Sequence, residues 1–222
     1  MHFRIHNEGR VYLIVLIIIT IIFTPFFPLI GVMFFLVLCF IYYFFRDPIR
    51  SIPNEEFILS PADGIVTYIG DSYPPVDVDV DYNFTKISIF LNIFNVHVNR
   101  IPTNGIIKNI KYNHGKFINA KLDKSSDDNE RNIITLEKEN NDIVIITQIA
   151  GLIARRIICD IKEKQKVYQG HRFGIIKFGS RVDLYLPSQY KPLISLGQTM
   201  VAGETIIANP KEIKEISNSF KN

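Results

Sequence analysis

From Val11 to Phe45 the chain runs for 35 residues without an Asp, Glu, Lys or Arg. No other feature limits its folding so strongly, because such a stretch needs apolar surroundings along its whole length. A helix crossing a bilayer takes roughly 20 apolar residues, so the run is too long for one crossing and short of two complete ones. Pro25, Pro28 and Gly31 interrupt it, and proline removes a backbone donor and clashes with the preceding turn. The pattern therefore predicts two helices, Val11–Thr24 and Leu29–Phe45. A cleavable signal peptide does not fit: the apolar stretch exceeds the usual core of ~7–15 residues, and no small-x-small site follows it. Arg4 and Arg10 precede the run, and Arg46 and Arg50 follow it. Basic flanks favour the cytoplasmic side, so residues 1–50 read as a membrane-anchoring hairpin that enters and returns. One tilted span with the remainder at the interface is the other arrangement. Tyr12, Tyr42 and Tyr43 stand where interfacial aromatics belong.

All 25 Lys and Arg and all 22 Asp and Glu lie outside the run, at the density of an ordinary soluble domain. Residues 51–222 are long enough to bury a proper core, which excludes a multi-spanning transporter, a disordered tail and a disulfide-stapled mini-protein. Cys39 and Cys159 read as small buried apolar residues rather than a bridge or a metal site. A net charge of +3 on a mixed-charge body gives no nucleic-acid stripe.

Beyond residue 50 the signal is β. Candidate strands are Gly64–Tyr68, Thr85–Leu91, Gly105–Tyr112, Ile133–Glu137, Ile143–Ile149, Arg156–Ile161, Gly174–Phe178 and Val182–Leu186, short runs rich in Ile, Val, Phe and Tyr. Their spacing, with no regular helix between them, predicts a mainly β body, a barrel or a sandwich. Lys121 to Asn132 is strongly polar and reads as a surface loop. Three strings beginning at Ser60, Val167 and Met200 each place a Gly-bearing turn beside β-branched residues, similar to the strand-turn-strand units of lipoyl-type sandwiches.

Three positions carry possible chemistry. Gly179-Ser180 interrupts two apolar strands. A Gly-Ser pair there is usually a kink, but a serine hydroxyl following an unshielded glycine carbonyl can attack it if the backbone is strained and a base is near. His97, in Asn95-Val-His-Val-Asn-Arg100, would share a strand face with Asn95 and Asn99 while Val96 and Val98 point the other way. Asp63, in Ser60-Pro-Ala-Asp-Gly64, is by itself a turn aspartate. The remaining histidines pair with no Cys, His or acid at ligand spacing, so no metal is expected. There is no phosphate-binding glycine motif.

Taken together the strings resemble the short, membrane-associated form of the phosphatidylserine decarboxylase family, whose members are pyruvoyl-dependent proenzymes. They are Phe44-Phe-Arg-Asp-Pro48, Ser60-Pro-Ala-Asp-Gly64, Asn95-Val-His-Val-Asn-Arg100, Asn119-Ala-Lys-Leu-Asp-Lys124 with Asn129-Glu-Arg-Asn132, Gln148-Ile-Ala-Gly-Leu-Ile-Ala-Arg-Arg156, and Arg172-Phe-Gly-Ile-Ile-Lys-Phe-Gly-Ser-Arg-Val-Asp-Leu-Tyr-Leu-Pro187.

The resemblance implies self-cleavage between Gly179 and Ser180, giving a β chain of residues 1–179 and an α chain of residues 180–222 held as a heterodimer. Residue 180 becomes a covalent pyruvoyl group, which forms a Schiff base with the serine amine of phosphatidylserine and replaces pyridoxal phosphate as electron sink. His97 activates Ser180 and Asp63 orients His97. Arg100 stands where longer members carry a second histidine. Arg100, Lys177 and Arg181 are candidates for binding the lipid phosphate. The implied products are phosphatidylethanolamine and carbon dioxide, in phospholipid biosynthesis. The implied location is the bacterial cell membrane, with the catalytic domain on the cytoplasmic side, and an exposed edge strand would support a higher oligomer. Two other classes fit parts of the pattern: a membrane-tethered serine hydrolase using Ser180, and a non-enzymatic β-rich carrier or adaptor.

Overall fold

The computed structural model describes residues 4–78, 80, 83–115, 129–151, 156–177 and 179–211. In chain order the elements begin with β1 (Arg4–Ile5), α1 (Asn7–Phe23), α2 (Pro28–Phe44), β2 (Arg46–Asp47), β3 (Ile58–Leu59), β4 (Gly64–Ser72) and β5 (Phe84–Leu91). They continue with β6 (Val98–Arg100), β7 (Gly105–Asn113), β8 (Arg131–Glu137), β9 (Ile143–Ala150) and β10 (Ile157–Cys159). The last are β11 (Lys166–Val167), β12 (Arg172–Ile176), β13 (Ser180–Pro187), β14 (Thr199–Met200) and β15 (Ile206–Ala208). Each strand predicted from the sequence overlaps an observed one. The closed barrel is not what forms. The body is an eight-stranded antiparallel sheet, β11-β7-β8-β9-β13-β5-β4-β14, curled into a half-barrel with two edges.

The reason lies in the alternation. Ile87, Ile89 and Leu91 of β5, Val182, Leu184 and Leu186 of β13, Val144 and Ile146 of β9, and Ile134 and Leu136 of β8 point into one buried cluster. Ile133, Ile145 and Tyr185, from the other face, join Phe84 in a second. Strands covered on both faces read as nearly continuous apolar runs. The concave face is closed by a three-stranded sheet, β10-β12-β6, which adds Phe173, Ile176 and Ile157 to the main cluster.

Two of the three Gly-turn strings pair with each other: Met200 lies opposite Gly64, and Ile206 opposite Leu59. The predicted surface loop does not reach Asn132. Residues 121–128 lie outside the described residues, but Asn129, Glu130 and Asn132 are buried and β8 begins at Arg131.

The helices match the proline break. Pro28 opens α2 at its first position, where its missing N–H costs nothing. α1 and α2 are antiparallel neighbours: Tyr12 stacks on Phe45 with ring centroids 5.7 Å apart, and Phe23 lies 5.7 Å from Phe34 at the other end. Val11, Ile14, Ile21, Leu29 and Leu36 are largely exposed. At about 1.5 Å rise per residue each helix is about 25 Å long. No helix among the described residues is long and apolar enough to cross a membrane. Cys39 is exposed on α2, unlike the buried residue expected, while Cys159 is half-buried against the main cluster, and both are free.

Candidate active site

The antiparallel order brings several strand ends to one rim of the large sheet. β4 starts there at Gly64, β5 ends at Leu91, β13 starts at Ser180 and β9 ends at Ala150; Ser180 is in register with both Leu91 and Ala150. From this rim the chain crosses to the small sheet after β5, through residues 92–97, and β13 follows β12 of that small sheet in sequence. The two segments are held together where the backbone N–H of Ile176 donates to the carbonyl of His97. His97 and the Gly179–Ser180 bond therefore occupy the same corner.

Ser180 is completely buried, and its hydroxyl has no hydrogen-bond partner. A buried hydroxyl without a partner costs on the order of 1–3 kcal/mol, and such costs are found where function requires them. Gly179 before it has φ +63°, a left-handed conformation that costs other residues roughly 1–2 kcal/mol. A Cβ placed there would meet no atom within 4 Å. Glycine is thus required by conformation and not by space, and the backbone turns sharply at the bond next to the nucleophile.

His97 is likewise fully buried, with its ring 4.3 Å from that of Phe44. Nδ1 lies 3.0 Å from the Asn95 carbonyl oxygen. That oxygen can only accept, so Nδ1 carries the proton and Nε2 presents a lone pair. Nε2 has no partner. Burial pushes the imidazole down to about 4, against the Asn95 hydrogen bond and with a smaller contribution from Arg46. The ring is neutral at pH 7 and equipped to accept a proton.

Asp63 does not touch His97. Its carboxylate takes two hydrogen bonds from Arg50, at 2.9 and 2.7 Å, and one from the Ala202 N–H at 2.8 Å. Burial raises its pKa, and Arg50 and the Ala202 N–H oppose the shift. The orienting partner of His97 in this arrangement is the Asn95 carbonyl. At about 4.8 Å per strand, the start of β4 lies about 10 Å along the rim from Ser180, which explains why the motif strings converge on one rim without forming a triad of contacts.

The three candidate phosphate ligands are engaged internally. Arg100 donates to the Gly170 and Pro48 carbonyls and pairs with Asp47; burial lowers it to about 10, still cationic at neutral pH. Lys177 pairs with Glu8 at 3.0 Å and lies 5.3 Å from the centre of the Tyr12 ring. Arg181 pairs with Asp183 at 2.9 Å. A polar cavity of about 570 Å³ instead opens at the foot of α1, lined by Arg4, His6, Arg10 and Arg172 with Asp47 and Asp160.

The sequence reading set Asn99 beside His97 and had Asn132 and Gln148 within the family strings, but not their contact. Asn132 donates to Gln148 at 2.9 Å, and Gln148 donates to Asn99 at 2.8 Å, all three completely or almost completely buried. The signal was present: Gln148 occupies a core-facing position between Ile146 and Ala150.

The described geometry brings to one corner a buried serine hydroxyl, a glycine carbonyl at a left-handed turn and a neutral imidazole. The sequence model for phosphatidylserine decarboxylase matches residues 37–208, which include all three. The chain belongs to the phosphatidylserine decarboxylase family. A phosphatidylserine decarboxylase proenzyme of Rickettsia bellii is 47% identical over 207 residues, covering 92% of this chain and 90% of the relative. Those of Rickettsia akari and Rickettsia typhi are 46% identical over the same length. Of the family strings, residues 119–124 and 152–155 and Phe178 lie outside the described residues.

Proposed function

We propose that this chain is a phosphatidylserine decarboxylase proenzyme that cuts itself between Gly179 and Ser180. The observation that carries the reading is the buried, unpartnered Ser180 hydroxyl following a left-handed Gly179 in a chain of this family. Nε2 of His97 takes the hydroxyl proton as Oγ bonds to the Gly179 carbonyl carbon. The carbon–nitrogen bond then breaks, and the proton passes to the departing amine. An ester replaces the peptide bond. Loss of the Cα proton of residue 180 expels the Gly179 carboxylate. Water then replaces the amine at residue 180, releasing ammonia and leaving a keto group at the new N-terminus. That covalent pyruvoyl group supplies an electron-accepting carbonyl, which is the chemistry decarboxylation of an amino acid requires.

The residues present fit this group. Ser180 sits in an enclosed corner, and His97, once it has taken up a proton on Nε2, can return it to the carbon that loses carboxylate. A hydrolase would need Ser180 open to its substrate in the uncut chain, where Ser180 is sealed between β5 and β9; the decarboxylase reading needs residue 180 open only after the cut has freed it as a new N-terminus. A carrier domain gives no reason for an orphaned hydroxyl beside an orphaned imidazole.

The exposed apolar faces of α1 and α2, flanked by Arg4, Arg10, Arg46 and Arg50, support a hairpin that enters the cytoplasmic leaflet of a bacterial membrane without crossing it. The cavity at the foot of α1, with three arginines against two aspartates, lies at the headgroup level of such a hairpin. The reading places an anionic bilayer lipid within reach of an enzyme held at its surface.

A denaturing gel tests the cleavage. The purified protein should yield fragments 1–179 and 180–222, the smaller one resistant to Edman degradation because its N-terminus is a ketone. Ser180→Ala should remain intact and release no carbon dioxide from phosphatidylserine in mixed micelles. An intact wild-type chain with full activity would overturn the reading. Retention of the protein in membranes after an alkaline carbonate wash tests the anchor, and its release would refute insertion.

A further inference from the structure

Asn99 presents a third orphaned group in the same corner. It is completely buried, and its Nδ2 has no hydrogen-bond partner. An amide nitrogen is a donor only, so this is a donor without an acceptor, in contrast to His97 Nε2.

Its orientation is the one its hydrogen bonds give, and Asn132 Oδ1, at the other end of the amide chain, is likewise without a partner. Asn99 Oδ1 accepts from Gln148 Nε2, and Gln148 Oε1 accepts from Asn132 Nδ2. The three amides form a directed chain that begins on β8, passes through β9 and ends with the Asn99 donor pointing away from Gln148. Register places that end beside the scissile bond. Ser180 is opposite Ala150 and Val182 opposite Gln148. Opposed residues share a face, so Ser180, Ala150 and Gln148 all project toward the small sheet that carries Asn99. Asn99 also follows His97 by two residues, while Val96 and Val98, which flank His97, pack into the cluster around Phe44 and Phe45.

We propose that Asn99 Nδ2 is the donor that stabilises the oxyanion formed on the Gly179 carbonyl when Ser180 attacks it, and that Gln148 and Asn132 are positioning residues that hold the donor in place. This rests on the self-cleavage reading above. The attack converts a neutral carbonyl oxygen into an anion inside a dry corner, where a fixed donor is worth far more than in water. An orphaned donor is unfavourable in the resting chain and favourable only once that charge appears, which is the signature of an interaction kept for the transition state.

Two variants isolate the donor. Asn99→Asp keeps the size and the acceptor for Gln148 but removes the N–H. Gln148→Glu leaves Asn99 intact but can no longer donate to its oxygen, so the Asn99 amide turns and offers its nitrogen to the introduced carboxylate instead. The full chain is pulse-labelled during cell-free synthesis with vesicles, and splitting is followed on a denaturing gel. Hydroxylamine is added in parallel, because it cleaves the ester and leaves a Gly179 hydroxamate. Both variants should split on the order of 10²- to 10³-fold more slowly than wild type, melt within a few degrees of Ser180→Ala, and give no additional fragment with hydroxylamine, since the ester does not form. Splitting at the wild-type rate in either variant overturns the proposal. So does a hydroxylamine-releasable fragment at wild-type yield, which puts the defect after the acyl shift. Slow splitting with melting lowered by more than about 10 °C in both variants overturns it too, because the amides then serve only the fold. If the wild-type chain does not split, or Ser180→Ala splits at the same bond, the self-cleavage reading itself fails.

Discussion

The pH profile of self-cleavage follows from the environment of His97. The ring is enclosed by apolar surroundings that include Phe44, and no acidic partner among the described residues holds a charge on it; burial lowers it from 6.5 to about 4. A shift of that size corresponds to about 3 kcal/mol between the two protonation states. His97 acts as a base only when neutral. At pH 5 about nine-tenths of the chains would hold a neutral ring, against about one-thirtieth for an unperturbed histidine. The rate of splitting of the pulse-labelled precursor is therefore expected to be nearly flat from pH 8 to pH 5 and to fall only below that. The same shift has a stability consequence of definite sign. Between pH 6.5 and about 4 the unfolded chain binds a proton at His97 that the native chain does not, so stability falls as pH falls through this window. Ser180→Ala should lose up to about 3 kcal/mol more than Ser180→Ala/His97→Gln across it, measured by urea unfolding in detergent micelles. Groups common to both variants cancel in the difference. A cleavage profile with its midpoint near pH 6.5, together with identical acid sensitivity of the two variants, would refute the placement of His97 as a buried neutral base.

Arg50→Ala leaves the Asp63 carboxylate in a mostly buried position without its cation. Breaking such a pair costs about 3 kcal/mol or more, so Arg50→Ala should unfold at clearly lower urea than wild type, with Asp63→Asn/Arg50→Ala recovering part of the loss; equal midpoints would show the pair to be idle. Gly179→Ala fits sterically but adopts φ +63° at a cost of about 1–2 kcal/mol. It should fold, with the turn at the bond displaced from φ +63°, and split measurably more slowly on the same gel; unchanged kinetics would remove the left-handed turn from the mechanism. Arg100→Lys cannot reproduce three simultaneous contacts to Gly170, Pro48 and Asp47. It should lower the melting temperature while leaving the Michaelis constant for phosphatidylserine unchanged, and a raised constant at normal stability would restore Arg100 as a lipid ligand.

Strand positions were legible because both faces of the large sheet are covered, so β8, β9 and β13 read as Ile, Val and Leu runs with little ambiguity. The short strands β3, β14 and β15 were not, since two or three residues carry no period. Gly179, Ser180 and His97 were legible as strings whose neighbours had obvious strand roles. Partnerships were not. Asp63 meets Arg50 and Ala202, 13 and 139 residues away, and only the fold decides between those partners and His97. Arg100, Lys177 and Arg181 looked like ligands because a sequence shows charge but not the acid that neutralises it. Gln148 is the instructive miss: a polar residue at a core-facing position of an apolar strand demands a buried partner, and that demand could have been read before the partner was known.

The helices and the reacting bond are parts of one packed unit. Phe44 ends α2 and lies against the His97 ring. Glu8 and Tyr12 of α1 hold Lys177, two residues before Gly179. Phe45 accepts the His6 N–H and stacks on Tyr12, closing the base of the pair. Both segments that frame the Gly179–Ser180 bond are thus gripped from the same side, one by each helix. A tether needs only a flexible link to the body it holds. Here the apolar hairpin supplies a wall of the basic residue's pocket, and the low basicity of His97 depends on Phe44 being there. Taking up a proton costs a base this weak on the order of 3 kcal/mol more than in water. On the proposed reading self-cleavage happens once in the life of each chain, so it tolerates that cost.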